Sequence, residues 1–144
     1  MTEGTPRRSR RGPATAATVE AVHDDLDDLW SEAESVPEVD RMAFTLAVVE
    51  IATNVVAHAE RATDSPLELQ VDVTAAPHRL LAKIYEFGAA PAGVDIDDAP
   101  SVGELDETGR GIRLVQALVS TVGFERHGDA NVWKLRRDYS GSLP

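Results

Sequence analysis

The sequence predicts an α+β fold: a two-layer sandwich with helices on one face of a small, mainly antiparallel sheet. Three observations carry this reading. Residues 41–61, RMAFTLAVVEIATNVVAHAER, contain no proline or glycine, and their apolar residues cover more than one side, the mark of a buried central helix. Two pairs of short apolar runs, 67–73 with 79–85 and 122–126 with 132–136, are each joined by a turn, as in hairpins. A third helical pattern, opening on Gly109-Arg110-Gly111, lies between the two pairs.

Taken in order, residues 1–14 hold Arg7, Arg8, Arg10 and Arg11 among Gly, Pro, Ser and Thr. Such a segment has little apolar area to bury, so it reads as a disordered, Arg-rich tail. From Thr15 or Thr18 to about Ser35, the residues Val19, Val22, Leu26, Leu29 and Trp30 recur at helical steps. Thr18 is a fair N-cap there, and Asp24, Asp25, Asp27 and Asp28 fall on a solvated face. Pro37 ends this helix, residues 38–40 lead into the central one, and Asp64-Ser65-Pro66 marks a turn. Leu67, Leu69, Val71 and Val73 then alternate with polar residues, a half-buried strand. The chain turns at Ala76-Pro77-His78, and the returning strand delivers Glu86-Phe87-Gly88 at its end. Residues 88–108 are rich in Gly, Pro, Ala and Asp and have no periodicity, and read as a functional lid or a disordered segment. The third helix carries Ile112, Leu114, Val115, Leu118 and Val119, with Gly123 as a candidate C-cap. One domain is expected over residues 15–138, followed by a loose tail at 139–144.

Composition narrows the function classes. With 144 residues, 42% hydrophobic and 27% charged, the chain suits one soluble globular domain. No apolar run reaches the roughly 18 residues of a membrane span, and no signal peptide is visible at the start. Zero cysteines exclude disulfides and thiolate metal sites and suit a reducing cytoplasm. The formal charge of −11 argues against direct nucleic-acid binding and favours a basic partner. Without the four N-terminal arginines, 14 less 4 leaves 10 basic residues against 25 acidic ones.

The central helix carries Glu50, Asn54 and His58 at i, i+4 and i+8, a polar stripe on an otherwise apolar element. One buried polar residue is usually satisfied by a neighbouring strand; three on one face point to a site. Gly109-Arg110-Gly111, entering an apolar helix, has a direct reading of its own. Glycines let the backbone approach a phosphate, the helix N-terminus offers free N–H groups, and Arg110 adds a cation.

The run Glu50-x-x-x-Asn54, followed by His58-Ala59, resembles the N box of the GHKL ATPases, the superfamily of gyrase, heat-shock-90, histidine kinases and MutL. It is most similar to that of the anti-sigma-factor serine/threonine kinases. Thr108-Gly109-Arg110-Gly111-Ile112-x-Leu114-Val115 resembles the second glycine box of those kinases, and a Val-Gly-Phe strand and closing hairpin with Trp133 follow as they do there. The resemblance implies a Bergerat-type sandwich over about residues 16–137 that binds ATP with Mg²⁺. In it Asn54 would be the Mg²⁺ ligand, Glu50 the catalytic base, and Gly109, Arg110 and Gly111 the phosphate holders. Thr108 belongs to the same box, and His58 lies further along the stripe, in a supporting or a purely structural role.

The first glycine box departs from the family pattern Asp-x-Gly-x-Gly, reading Glu86-Phe87-Gly88-Ala89-Ala90. Glu86 would take the place of the adenine acceptor, Gly88 that of the first glycine, Ala90 that of the second. Asn131 stands where a threonine is often found near the adenine. The family also has a short strand before its first helix, where this chain has the Arg-rich segment. The implied partners are a small anti-sigma-factor antagonist, phosphorylated on serine, and a sigma factor held in sequestration. Homodimers are common in the family, although no patch in this sequence demands one. The alternative reading is a non-catalytic interaction module of the same fold with weak or no nucleotide binding.

Overall fold

The computed structural model describes residues 4–91 and 107–140, with the backbone alone for 107–110. Most of the expected lid lies outside the described residues. Eight elements follow one another: β1 (Arg7–Pro13), α1 (Ala16–Glu32), α2 (Glu38–His58), β2 (Glu68–Ala76), β3 (Arg79–Phe87), α3 (Glu107–Leu118), β4 (Thr121–His127) and β5 (Ala130–Asp138). The five strands form one sheet in the order β1-β2-β3-β5-β4, with every neighbouring pair antiparallel.

Alternation along the strands decides which side of the sheet is buried. Leu69, Val71, Val73 and Ala75 of β2 and Leu80, Ala82 and Ile84 of β3 turn inward, with polar or exposed residues between them. The helices cover that side: α1 packs on β1 and β2, α2 on β2, β3 and β5, and α3 on β4. α1 buries a single stripe of Val22, Leu26, Leu29 and Trp30. α2 lies between α1, α3 and the sheet, so it buries Phe44, Ala47, Val48, Ile51, Ala52 and Val55 and needs apolar residues on several sides. Trp30 meets Phe44 edge-on at 6.2 Å and donates its indole N–H to Thr45 Oγ1 at 3.0 Å.

Arg137 of β5 fastens the helical layer to the sheet. Its Nε donates to the buried Asp40 in the first turn of α2 at 2.8 Å, and its Nη1 donates to Leu118 O at the end of α3 at 2.5 Å. One guanidinium thereby holds the two helices that carry the polar stripe and the second glycine box.

The Arg-rich segment is not a disordered tail. Residues 7–13 form the edge strand β1, paired along its length with β2. Its arginines compensate for the missing apolar surface: Arg8 pairs with Glu32 at 2.7 Å, Arg10 with Asp25 at 2.8 Å, and Arg11 with Glu68 at 2.9 Å. Part of the acidic face of α1 is therefore a docking face for this strand, and the charged edge also discourages pairing with other chains. Thr15, not Thr18, caps α1; its Oγ1 accepts from Thr18 N–H, while Thr18 itself is buried. α2 begins at Glu38, directly after Pro37. Gly123 does not cap α3 but sits within β4, opposite Lys134. In the C-terminal segment, Tyr139 donates its N–H to His78 O at 3.1 Å and its ring lies 6.0 Å from that of His78, so the chain is attached at least that far.

The β1–α1 pairing has a pH signature. The hydrogen bond from Arg8, ahead of its charge, holds the Glu32 carboxyl below the usual carboxylate range. A depressed carboxylate stabilises the fold above its unfolded pKa, and that contribution fades as pH falls through the folded pKa. Amide exchange in β1, corrected for the intrinsic rate, is expected to rise first as the solution is acidified. Arg8→Ala should reproduce that rise at neutral pH, and unchanged protection would assign β1 to backbone pairing alone.

Candidate functional site

α2 projects Glu50 and Asn54, both half-buried, and the exposed His58 from successive turns of one face. Opposite them runs the start of α3. Residues 107–110 form its first turn, whose N–H groups have no partner within the helix. Gly109 and Gly111 thus sit inside the helix opening, whereas the sequence placed the helix start at the glycines. Gly111 makes the contact close: a Cβ there would stand 2.7 Å from Asn54 Nδ2 and 2.8 Å from Glu50 Oε1. Between the two helices lies a cavity of about 300 Å³, lined by Glu50, Thr53, Asn54, His58, Gly111 and Leu114. Asn54 Nδ2 is buried without a hydrogen-bond partner among the described residues. A buried amide left open costs stability, so an atom in that position is the mark of a group built for something else.

Substitution at Gly111 separates two effects of opposite sign. Alanine improves helix propensity by about 1 kcal/mol. Here its methyl would collide with the two polar groups of the stripe, and overpacking of this kind costs about 1–3 kcal/mol. Gly111→Ala is expected to lower or leave level the urea midpoint while pushing Asn54 and Glu50 out of place. A stabilised variant would mean that the side-chain ends of Asn54 and Glu50 swing aside at little cost.

The first glycine box is closed. Gly88 adopts φ +79°, a conformation that favours glycine, and its N–H donates to Asp129 O at 3.0 Å. Gly88 O accepts from Ala62 N–H at 2.9 Å, and Ala90 N–H donates to Glu60 O at 2.7 Å, so the box is stitched to the segment that follows α2. Glu86 points into the helical layer and is 6% exposed. Its Oε2 accepts from Trp133 Nε1 at 2.7 Å and its Oε1 from Asn131 Nδ2 at 3.2 Å. Asn131, its cross-strand partner, also donates to Ala90 O at 2.9 Å and accepts from Arg126 Nη1 at 3.1 Å. Arg126 Nη1 donates to Ala89 O at 2.7 Å as well, and Phe124 stacks edge-on against Trp133 at 4.6 Å.

The extra methylene of Glu86 gives its carboxylate the reach to meet Trp133. Glu86→Asp is expected to cost about 1–3 kcal/mol, because the indole N–H loses its buried acceptor. An unchanged urea midpoint would show that another acceptor takes over. Trp133 stands in the closing hairpin that follows the second glycine box, but nothing in the sequence ties it to Glu86; Arg126 belongs to no motif, and its only signal is its place opposite Asn131 across the β4–β5 hairpin.

The structure therefore brings Glu50, Asn54, His58 and Gly111 together at one cavity, and Glu86 and Asn131 together in a separate polar cluster beside Gly88. Gly109 belongs to the opening turn of α3; the side chains of Thr108 and Arg110 lie outside the described residues.

The sequence profile of the histidine kinase-like ATPase domain matches residues 12–137. The chain belongs to that family. No curated protein matches the chain in sequence. Among solved structures, this histidine kinase-like ATPase domain is similar to the RsbU and RsbW domains of Rv1364c from Mycobacterium tuberculosis, with a TM-score of 0.67 and 18% identity over 93% of this chain. It is also similar to the histidine kinase domain of the blue-light activated histidine kinase from Erythrobacter litoralis EL346, with a TM-score of 0.53 and 18% identity over 88% of this chain. The chain spans only 32% and 61% of the length of those two chains. The five-stranded sheet with helices on one side is the shared fold, and β1 is the strand that the sequence reading had missed.

ATP and Mg²⁺ are the groups this family implies, and the residues at the cavity fit them. Asn54 offers an amide whose nitrogen is uncommitted among the described residues, and a half-turn about its last bond would put the oxygen in that place. Glu50 adds a carboxylate, and the backbone at Gly111 is close enough that a side chain there would intrude. The described residues include no helix long and apolar enough to cross a membrane.

Proposed function

We propose that this domain is an ATP-dependent serine/threonine protein kinase of the anti-sigma-factor type, working in the cytoplasm. The observation that carries the reading is the convergence of Glu50, the unpartnered Asn54 amide and Gly111 on one cavity at the mouth of α3. Asn54 holds Mg²⁺ through its side-chain oxygen, and bound Mg²⁺ supplies neutralisation of phosphate charge. The free N–H groups of the first turn of α3, with Gly109, Arg110 and Gly111, hold the phosphates. Glu50 accepts the proton of the incoming serine hydroxyl, a role that a pure binding module does not need. The acceptor is a small anti-sigma-factor antagonist, and the companion activity is sequestration of a sigma factor. Incubation with labelled ATP, Mg²⁺ and a serine-bearing antagonist tests this. Transfer to that serine is the expected result; ATP binding without transfer to any serine protein would remove the kinase assignment.

A second reading, an interaction module with weak nucleotide binding, is favoured by the closed first glycine box and by a groove elsewhere on the domain. Val39, Met42 and Leu46 of α2 are 67%, 66% and 47% exposed, a stripe about two turns long. Met42 and Leu46 line a cavity of about 620 Å³ with Trp30 and Val49, and its charged lining is mixed, Asp27 and Glu38 with Arg41. An apolar stripe on a helix of an acidic domain suits the basic, amphipathic helix of a protein partner better than a second copy, which would bring two acidic α1 helices together. Leu46→Glu is expected to weaken partner binding while leaving Mg²⁺-ATP affinity unchanged. Equal partner affinity in that variant would place the partner elsewhere.

A further inference from the structure

We infer that the face of the sheet turned away from the helices docks an acidic segment of a partner protein. Among the described residues the helices pack on the other face alone, and the strand registers set the outward side chains in rows. One row runs Arg7, Thr74, Leu81, Arg136, Thr121, and the next Ser9, Asp72, Lys83, Lys134, Gly123. Over the outward positions of all five strands there are six cations, Arg7, Arg11, Arg79, Lys83, Lys134 and Arg136. Four acids accompany them, Glu68, Asp72, Glu125 and Asp138. Of the 14 basic and 25 acidic residues in the chain, 8 and 21 remain elsewhere, so a face of +2 lies on a remainder of −13.

The cations are concentrated around one apolar residue. Lys83 stands directly opposite Lys134, and Leu81 directly opposite Arg136. Like charges opposite one another weaken a sheet, and an anion from outside reverses the sign of that effect. Lys134 has Glu125 at 3.0 Å, and Arg79 and Arg136 share Asp138. Arg7 and Lys83 have no ion pair among the described residues; Asp72, beside Lys83, accepts from Ser9 Oγ and Gln70 Nε2. Leu81 is 37% exposed, between grooves of about 530 and 310 Å³, the first reaching Arg7 and Tyr85, the second Gly123 and Lys134. Gly123 gives the second groove its depth: a Cβ there would stand 3.7 Å from that of Lys134, in space now open.

Carboxylates spaced along a peptide can meet Arg7, Lys83 and Arg136 while an apolar side chain seats on Leu81. Nucleic acid fits less well, because its charge is continuous whereas Asp72 and Asp138 interrupt the cations on a chain of −11. A second copy also fits less well, because a two-fold axis through this patch would set Lys83 and Lys134 against themselves.

The test is fluorescence anisotropy of the intact chain with a short labelled peptide of glutamate and alanine around one leucine. Its glutamine counterpart and a labelled oligothymidine strand are the comparisons, and sedimentation reads self-association. The glutamate peptide is expected to bind with a Kd of about 1 mM or below at low salt, at least about tenfold tighter than either comparison. Lys83→Glu should weaken it by about tenfold or more; the substitution breaks no ion pair, and Mg²⁺-ATP affinity should stay within about threefold. Gly123→Val fills the slot with a residue that strands favour, so peptide affinity should fall by about fivefold or more while the urea midpoint holds or rises. No binding of the glutamate peptide, equal binding of the glutamine one, or tighter binding of oligothymidine would overturn the inference. So would unchanged affinity in Lys83→Glu, or a dimer of the chain that this substitution dissociates.

Discussion

Replacing Asn54 by alanine is expected to remove Mg²⁺-dependent ATP binding, by at least a factor of about a hundred or roughly 2.7 kcal/mol. The fold should survive unchanged. Asn54 Nδ2 has no partner among the described residues, so removing that donor breaks no hydrogen bond there. Titration with and without Mg²⁺ reads the first effect, and the urea midpoint reads the second. A variant that loses stability along with binding would make Asn54 a structural residue of the α2–α3 contact. A variant that keeps Mg²⁺-dependent affinity would move the metal to another ligand.

Glu50→Gln is expected to slow phosphoryl transfer by about 10²–10⁴ while ATP affinity stays within about threefold. The amide keeps the size of the carboxylate and its place one turn from Asn54, but it cannot accept the hydroxyl proton. Single-turnover transfer to the antagonist separates the two quantities. Full transfer in the variant would assign the proton to another group; lost affinity would make Glu50 a metal-side residue instead of a base.

Most of the fold could be read from the sequence because its signals are local. The alternation in β2, the single apolar stripe of α1 and the all-round apolar surface of α2 each report their own surroundings. β1 could not be read in this way. Its side chains are arginine, serine, glycine and proline, and what holds it is distant in the chain: the backbone of β2 and the acids Asp25, Glu32 and Glu68. The stripe Glu50–Asn54–His58 was legible as a helical spacing, and the glycines of the second box as a helix opening. Their convergence was not, since it depends on how α3 packs across α2. Glu86 shows the limit most clearly. Its place in the motif suggested an acceptor for a ligand, whereas the partners that occupy it, Trp133 and Asn131, lie more than forty residues away.

Calorimetric titration of the chain with ATP, with and without Mg²⁺, tests the central claim most directly. Micromolar binding that requires Mg²⁺ is the result expected of a site built from Asn54, Glu50 and the opening of α3, with affinity near −8 kcal/mol as ~1 μM implies. No heat of binding at millimolar ATP would contradict the account and leave this histidine kinase-like ATPase domain as a partner-binding module.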